Sequence, residues 1–323
     1  MTVARVLVTA RVAGDAVARL DEAGHDVTWR DVDAPMPRDE LLAAVAGTDA
    51  LVAMLVDRVD AELLDAAGPG LRVVANVAVG YDNVDLAACE QRGVAVTNTP
   101  GVLTDATADI AMALVLMSTR GLGAAERRVR TGEPWPWSLT ADLGTGLRGK
   151  TLGIVGPGAI GLATARRAKA FGMEVLLTGR SAPDPGAVEG LAARVVDLGE
   201  VLTASDVVSL HCPLTPQTHH LIGVAELRAM KPTAHLVNTS RGPVVDEAAL
   251  VGALEAGEIA GAGLDVFEDE PRVHPGLLAR DDVVLLPHVG SATVETRTAM
   301  ADLAVDNVLA VLAGEDAVTP VRG

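Results

Sequence analysis

A glycine-rich turn between a short apolar run and a helical segment is the feature that most constrains this chain. The apolar run covers residues 151–155, and the turn, GPGAIG, follows at residues 156–161. Gly156 permits a tight turn, Gly158 lets the backbone approach a phosphate, and Gly161 lets the next helix pack closely on the strand. The N-terminus of that helix then faces the phosphates of a ligand. This order of elements favours a dinucleotide-binding βαβ unit over a purely structural turn.

Short apolar runs alternate with helical segments along most of the chain. Strand-like runs lie at 3–9, 50–55 and 71–77, and then at 151–155, 174–178, 207–211, 235–238, 263–266 and 283–286. Such alternation is typical of parallel sheets covered by helices, and an aromatic content of 2% leaves Ala, Val and Leu to fill the core. We therefore predict an α/β protein with two Rossmann-like, doubly wound parallel-sheet domains and the active site in the cleft between them.

Two helical segments mark where the chain passes between the predicted domains. One covers residues 105–120, after the first alternating region, and the other begins at residue 292, after the second. We expect residues 1–100, completed by 291–323, to form a substrate-binding domain. Residues 101–290 should form the dinucleotide-binding domain.

Charge and cysteine content argue against several classes of partner. A formal net charge of −17 repels nucleic acids and anionic membranes, and no apolar run approaches the roughly 20 residues of a membrane helix. The two cysteines, Cys89 and Cys212, have no paired spacing, which is typical of a reducing compartment. His211, His219 and His220 lie near Cys212 but lack the spacing of a metal site. We expect a cytoplasmic protein with no metal, nucleic-acid or membrane partner.

The end of the second strand of the βαβ unit indicates which dinucleotide is preferred. An acidic residue at this position normally holds the adenosine ribose 2′-hydroxyl, but here the sequence reads Gly179-Arg180-Ser181. Gly179 removes the charge that would repel a 2′-phosphate, and Arg180 and Ser181 can bind one. We expect NADPH to be preferred, with NAD possible, unless Arg180 is a solvated surface residue. Exchanging Gly179 for Asp and Arg180 for Ala should then reverse the preference.

Three predicted strand ends carry reactive side chains: Arg241, Glu270 and His288. The carboxyl ends of parallel strands converge on the ligand crevice. Arg241 can bind carboxylate and carbonyl oxygens with its planar fork. His288 can give a proton to a carbonyl oxygen as a hydride reaches the carbon, while Glu270 holds the other ring nitrogen. The alternatives are a structural ion pair for Arg241, a solvated loop acid for Glu270 and a core histidine for His288.

Ordered motifs along essentially the whole chain resemble the D-isomer-specific 2-hydroxyacid dehydrogenase family. They are AVGYDNVD at 78–85, NTPGVLTDATAD at 98–109, GKTLGIVGPGAIG at 149–161, HCPLT at 211–215, LVNTSRG at 236–242, LDVFEDEP at 264–271 and PHVGSAT at 287–293. Within the family, LVAMLVDRVD, AVGYDNVD and LTGRSA look most like glyoxylate and hydroxypyruvate reductases. The resemblance implies NAD(P)H-dependent reduction of a small 2-keto acid to the D-2-hydroxy acid.

The resemblance also implies a set of site residues. Arg241 would orient the substrate, Glu270 would support His288, and His288 would be the acid/base. The implied substrate-binding residues are Leu55, Val79, Gly80, Arg241 and Trp137. The implied cofactor-binding residues, including those of the glycine turn and the ribose segment, are Thr104, Gly156, Pro157, Gly158, Ala159, Ile160, Gly161, Gly179, Arg180, Ser181, Cys212, Pro213, Thr218, Thr239, Ser240, Arg241, Asp265, His288 and Gly290. Asp265 would meet the nicotinamide carboxamide, and Pro157 departs from the family's usual non-proline residue.

We further predict a homodimer, in which the helix from Asp105 and the loop through Trp137 cross to the partner chain, because two exposed tryptophans in a Pro-rich loop need burial. The resemblance implies that Trp137 reaches the neighbouring active site. Trp135 is the fallback for Trp137. Two alternatives for the function stay open. One is an NAD-dependent D-2-hydroxyacid dehydrogenase of lactate, phosphoglycerate or phosphite type, although phosphite enzymes of this superfamily carry a lysine where this chain has Val79. The other is a non-catalytic dinucleotide-sensing protein resembling transcriptional corepressors.

Replacement of His288 by Ala or Gln tests the chemistry. Turnover should fall by about 10² to 10⁴, the usual contribution of a positioned acid or base. Cofactor affinity should change little, because the imidazole acts on the reacting carbonyl. Steady-state kinetics and cofactor titration measure the two effects, and turnover within twofold of wild type would refute the assigned role.

Overall fold

A computed structural model describes residues 3–135 and 137–321 of this chain. The chain divides into two units, one made of Met1–Leu103 with Ser291–Gly323 and the other of Thr104–Gly290. Each unit contains a β-sheet in which all paired strands run parallel. The predicted fold class, with two parallel-sheet α/β domains, is confirmed.

The elements alternate along each unit. The first unit contains β1 (Arg5–Val8), α1 (Ala18–Glu22), β2 (Asp26–Trp29), α2 (Arg38–Ala44), β3 (Ala50–Ala53), α3 (Ala61–Ala67), β4 (Val73–Asn76), α4 (Leu86–Gln91) and β5 (Ala95–Thr97). The second contains α5 (Thr104–Thr119), α6 (Leu122–Arg130), β6 (Thr151–Val155), α7 (Ala159–Ala170), β7 (Glu174–Thr178), α8 (Pro185–Leu191), β8 (Arg194–Val195), α9 (Leu198–Ala204), β9 (Val207–Leu210), α10 (Val224–Ala229), β10 (His235–Asn238), a 3₁₀ turn (Gly242–Val244), α11 (Glu247–Glu255), β11 (Gly261–Leu264), α12 (Pro275–Leu278) and β12 (Val283–Leu285). The chain then returns to the first unit with α13 (Val294–Ala313).

The first unit has the strand order β2-β1-β3-β4-β5. Its central strands β3 and β4 are buried throughout, as expected for parallel strands covered on both faces. The apolar side of α13, including Ala304 and Val308, packs against this sheet. Because β3 and β4 are parallel neighbours, the loops that follow them, with Leu55 and with Val79-Gly80, leave the sheet at the same edge.

The second unit has the strand order β12-β11-β10-β9-β6-β7-β8. From β6 the chain proceeds outward to β7 and β8, and then returns to the other side of β6 with β9. This reversal is a topological switch point, where doubly wound sheets bind ligands at the carboxyl ends of the strands. The pairing of Val155 with Leu210 and of Asn238 with Leu264 brings the ends of β6, β9, β10 and β11 to one edge.

Three strands were not predicted from the sequence: β2, β5 and β8. They are two to four residues long, and β2 and β8 lie at sheet edges and are largely exposed, so neither shows a buried apolar run. The strand predicted at 263–266 lies at Gly261–Leu264 instead. The two glycines of β11 are residues typical of turns, which hid the start of the strand in the sequence. In the structure, a Cβ on Gly263 would lie 2.9 Å from Leu114 Cβ. The glycine therefore permits close packing of α5 on β11.

Among the described residues, no single helix is long and apolar enough to cross a membrane. Helices α5 and α6 together meet the length and composition requirements, but as a pair bent by 72°. Leu114 and Val115 of α5 are fully buried in the core of the second unit.

Candidate active site

The glycine turn after β6 is shaped by close backbone contacts. Gly156 has a φ of +96°, and a Cβ there would lie 2.5 Å from the backbone nitrogen of Cys212. A Cβ on Gly161 would lie 2.4 Å from the carbonyl oxygen of Gly156. Helix α7 begins just after the exposed Gly158. The turn therefore presents the exposed N-terminus of a 12-residue helix, the feature that binds phosphate groups in dinucleotide sites.

The segment after β7 lies beside the glycine turn. Gly179, Arg180 and Ser181 are exposed, and the position of a Cβ on Gly179 is 2.7 Å from Pro157 Cδ. Burial raises the pKa of Cys212 to about 11, although the charge of Arg180 acts in the opposite direction. The predicted ribose segment, the glycine turn and the Cys212 segment thus lie close together, and the Cys212 thiol is neutral at physiological pH.

A buried asparagine shapes the turn that carries Arg241. Asn238 ends β10, and its Oδ1 accepts hydrogen bonds from the backbone N–H of Ser240 at 3.0 Å and from its hydroxyl at 2.8 Å. Its Nδ2 donates to the carbonyl oxygen of Arg241 at 2.9 Å. The half-buried Arg241 also donates from Nη1 to the Ser240 carbonyl at 2.8 Å. Sequence reasoning did not assign a role to Asn238, because a polar residue at a strand end has many uses.

The Arg241 turn is packed directly on the loop that follows β11. A Cβ on Gly242 would lie 1.8 Å from both the carbonyl carbon and the oxygen of Phe267, so only glycine fits. The contact is reinforced by two reciprocal hydrogen bonds. Glu268 N–H donates to Glu247 Oε1 at 2.7 Å, and Glu247 N–H donates to Glu268 Oε2 at 3.1 Å. Neither acid was predicted, because in the sequence Glu247 reads as an ordinary acidic residue in the first turn of a helix.

Glu270 and His288 form a hydrogen-bonded pair. His288 Nδ1 lies 2.8 Å from Glu270 Oε2, and Phe267 N–H donates to Glu270 Oε1 at 3.0 Å. Burial acts to raise the pKa of Glu270, but the His288 hydrogen bond and charge, the Phe267 N–H and the charge of Arg241 together lower it. Glu270 is therefore ionised at neutral pH. The structure brings together the three side chains that the sequence singled out for chemistry.

Asp265 holds the turn in which His288 lies. Its two buried carboxylate oxygens accept hydrogen bonds from the N–H groups of Val289 and Gly290 at 2.7 and 2.8 Å, and its carbonyl accepts one from His288 N–H at 2.8 Å. His288 has a φ of +53°, a conformation that costs about 1–3 kcal/mol and persists where surrounding contacts enforce it. This clamp was missed by sequence reasoning. The implied contact of Asp265 with the nicotinamide stays a prediction.

The other predicted cofactor residues lie at the starts and ends of elements of the second unit. Thr104 opens α5. The buried Thr218 donates from Oγ1 to the Pro213 carbonyl at 2.6 Å, so it stabilises the turn after β9. Thr239 Oγ1 lies 3.5 Å from Nδ1 of His211, whose Nε2 is 2.9 Å from Ser209 Oγ.

The predicted substrate residues of the first unit lie in the loops after β3 and β4. Leu55, Val79 and Gly80 are half-buried. Three successive carbonyl groups, those of Ala78, Val79 and Gly80, accept hydrogen bonds from Thr99 N–H, Asn98 Nδ2 and Asn76 Nδ2 at 2.8, 2.7 and 2.8 Å. In a trans peptide the N–H points away from the carbonyl. The N–H group of Val79 therefore points away from the Thr99 donor, and the N–H group of Gly80 points away from the Asn98 donor.

Trp137 lies in the irregular segment between α6 and β6, and its exposed fraction is 96%. Trp135 in the same segment is 54% exposed. Pro136, between them, lies outside the described residues. No group of three or more His, Cys, Asp or Glu side chains within 3–135 and 137–321 is arranged to hold a metal ion.

The chain is similar to known proteins in both sequence and fold. The profile of the D-isomer specific 2-hydroxyacid dehydrogenase NAD binding domain matches residues 112–290. A glyoxylate reductase of Thermococcus litoralis is 49% identical over 316 residues, which cover 96% of this chain and 94% of that protein.

Two solved structures are similar over almost the whole chain. A protein of Thermus thermophilus is 46% identical with a TM-score of 0.92, covering 98% of this chain and 100% of the other. The NADPH-dependent glyoxylate/hydroxypyruvate reductase of Sinorhizobium meliloti, solved with NADP and malonate, is 38% identical with a TM-score of 0.85, covering 99% and 97% of the two chains.

The environment of His211 predicts a pH effect on stability. The hydroxyl groups of Ser209 and Thr239 form hydrogen bonds with the two ring nitrogens. Burial lowers the pKa of His211 from 6.5 to about 4. Between these values the unfolded chain binds a proton that the folded chain does not, so the free energy of unfolding should fall as the pH decreases from about 6.5 to 4. His211→Gln should weaken this dependence. Urea unfolding of both proteins across this range measures it, and identical pH dependence would contradict the interpretation.

Proposed function

Because this chain belongs to the D-isomer specific 2-hydroxyacid dehydrogenase family and is an NAD(P)-dependent oxidoreductase acting on a 2-keto acid, we propose that it reduces glyoxylate and hydroxypyruvate with NADPH. The observation that carries this proposal is the hydrogen bond between His288 Nδ1 and Glu270 Oε2, with the charge of Arg241 acting on the same carboxylate. The product is the hydroxy acid, of D configuration where C2 is a stereocentre.

The proposed chemistry assigns one task to each of these side chains. When bound, the nicotinamide supplies a hydride, with both bonding electrons, to the carbonyl carbon. His288 gives a proton to the carbonyl oxygen, which completes the hydroxyl group. The ionised Glu270 fixes the ring through Nδ1, which leaves Nε2 as the nitrogen that can carry the transferable proton. Arg241 binds the substrate with its guanidinium, whose planar fork suits a carboxylate.

In the first unit, we propose the N–H groups of Val79 and Gly80 as donors to the substrate carboxylate. Their orientation supports this role, because the carbonyl groups of the same peptides are held by Asn98 and by backbone Thr99. Successive N–H groups that point the same way form an anion-binding concavity. Leu55 would lie along the substrate. The first unit would therefore bind substrate and the second unit the dinucleotide.

The proposed preference for NADPH rests on the segment after β7. Gly179 offers no carboxylate to a ribose hydroxyl, and the exposed Arg180 and Ser181 are available to a 2′-phosphate. The similar reductase of Sinorhizobium meliloti is described as NADPH-dependent and was solved with NADP. We also propose a cytoplasmic location, which the two free, buried thiols Cys89 and Cys212 support.

The proposed homodimer rests on an apolar surface in the segment after α6. Trp137 and Leu139 are 96% and 97% exposed, and Leu143 is 76% exposed. Large apolar side chains exposed in one segment favour an interface with another chain. A second copy of the chain is the proposed partner, with Trp137 extending to the neighbouring active site.

One assay tests the proposed activity and cofactor. NADPH oxidation with glyoxylate, hydroxypyruvate and pyruvate should be faster than NADH oxidation. A charge-assisted hydrogen bond contributes about 1.5–3 kcal/mol, so the ratio of kcat/KM should lie between roughly tenfold and a hundredfold. Arg180→Ala should lower this ratio toward one without changing the substrate order. A wild-type enzyme that uses NADH equally well would remove the cofactor assignment, and no turnover with any of these acids would favour a binding protein.

Light scattering tests the dimer. By this measurement, the wild-type protein should have twice the mass of one chain. In steady-state kinetics, Trp137→Ala should lower kcat/KM for the keto acid more than Trp135→Ala does, because Trp137 is the proposed contact with the neighbouring site. Trp135→Ala is the control, because it also removes one indole ring from this loop. A fully active monomer would contradict the proposal.

A further inference from the structure

The residue after β7 is a glycine whose side-chain space is already occupied. β7 pairs with β6 so that Thr178 lies opposite Val155, and Gly156 N–H donates to the Thr178 carbonyl at 2.8 Å. Pro157, the second residue after β6, and Gly179, the first residue after β7, are thereby brought together. A Cβ on Gly179 would lie 2.7 Å from Pro157 Cδ and 3.4 Å from its Cγ.

Pro157 is the one close obstacle to a side chain at position 179. The next nearest atom, the Ser181 carbonyl oxygen, would be 3.7 Å away, an ordinary contact. Gly179 is exposed and its φ lies outside the left-handed region, so its backbone conformation alone does not require glycine. A side chain at position 179 would therefore collide with the ring of Pro157.

The ring cannot move aside as a flexible side chain would. Cδ is bonded to the backbone nitrogen of Pro157, which fixes φ near −65°. The preceding Gly156 is held at a φ of +96° against the backbone of Cys212, and α7 begins two residues after Pro157. Displacing the ring would displace the turn that faces the phosphates of the dinucleotide.

We infer that Pro157 is a specificity-determining residue that excludes a ribose-binding carboxylate from position 179 and so keeps the site beside Arg180 open to a 2′-phosphate. The inference deepens the proposed NADPH preference and rests on it for its functional meaning. It also makes a prediction different from the sequence-based one that Gly179→Asp with Arg180→Ala reverses the preference, because it expects this exchange to weaken binding of both cofactors. That exchange leaves the proline in place, so the new side chain must displace the glycine turn.

A double-mutant cycle tests the steric part without assuming any cofactor preference. Gly179→Ala should weaken binding of both NADPH and NADH about tenfold or more, because overpacking distorts the turn. In the Pro157→Ala background the same exchange should change either dissociation constant less than about threefold. Titrations followed by nicotinamide fluorescence give the four constants for each cofactor. Gly190→Ala is the matched control, since a Cβ there meets no atom within 4 Å, and it should bind both cofactors as wild type does.

The functional part is tested with the carboxylate itself. Gly179→Asp should bind both cofactors poorly, whereas Pro157→Ala with Gly179→Asp should prefer NADH. Folding itself becomes the readout if Gly179→Ala is not obtained as a folded protein. In that case, a folded double variant with Pro157→Ala supports the steric contact between the two positions, and a double variant that does not fold opposes it. Wild-type affinity of Gly179→Ala for both cofactors would overturn the inference. A different result would separate the two parts. If the wild-type protein shows no preference for NADPH, but Pro157→Ala still removes the effect of Gly179→Ala on binding, the proposed cofactor is overturned and the steric role of Pro157 stands.

Discussion

Direct backbone contact between Gly242 and Phe267 is the constraint on which the candidate active site depends. It brings the turn after β10 against the loop after β11, and through them Arg241 close to Glu270. Any side chain at position 242 would have to occupy the space of the Phe267 carbonyl. The reciprocal hydrogen bonds between Glu247 and Glu268 hold the same two segments together. The guanidinium of Arg241 and the carboxylate of Glu270 are thus held near each other by contacts between the two segments that carry them.

Hydrogen-bonded polar side chains hold each loop of the candidate site in place. Asn238 fixes the Arg241 turn, Asp265 fixes the His288 turn, and Asn76 with Asn98 fixes the Val79-Gly80 loop. Buried polar groups require partners, so each of these side chains admits few arrangements of its loop. Loops carry the candidate chemistry in both units, but their geometry is set by groups anchored at the ends of buried strands.

Electrostatic environment separates the roles of two histidines. His288 faces a carboxylate that remains ionised because its hydrogen bonds and neighbouring charges outweigh the effect of burial. His211 has hydroxyl partners, and burial lowers its pKa to about 4. The imidazole of His288 thus has an ionised carboxylate as its partner, whereas the ring of His211 has only neutral hydroxyl partners. The difference comes from the partners of each ring.

The sequence alone determined the α/β class, the glycine turn, the family and the identities of Arg241, Glu270 and His288 as candidate residues, because periodicity and ordered motifs are properties of neighbouring positions. The short strands β2, β5 and β8 and the displacement of β11 were decided by pairing with distant segments. The same holds for the clamp of Asp265, the glutamate pair and the exclusion of a side chain at position 179. Each depends on atoms far apart in sequence that meet within about 3 Å, and no local pattern records such a contact.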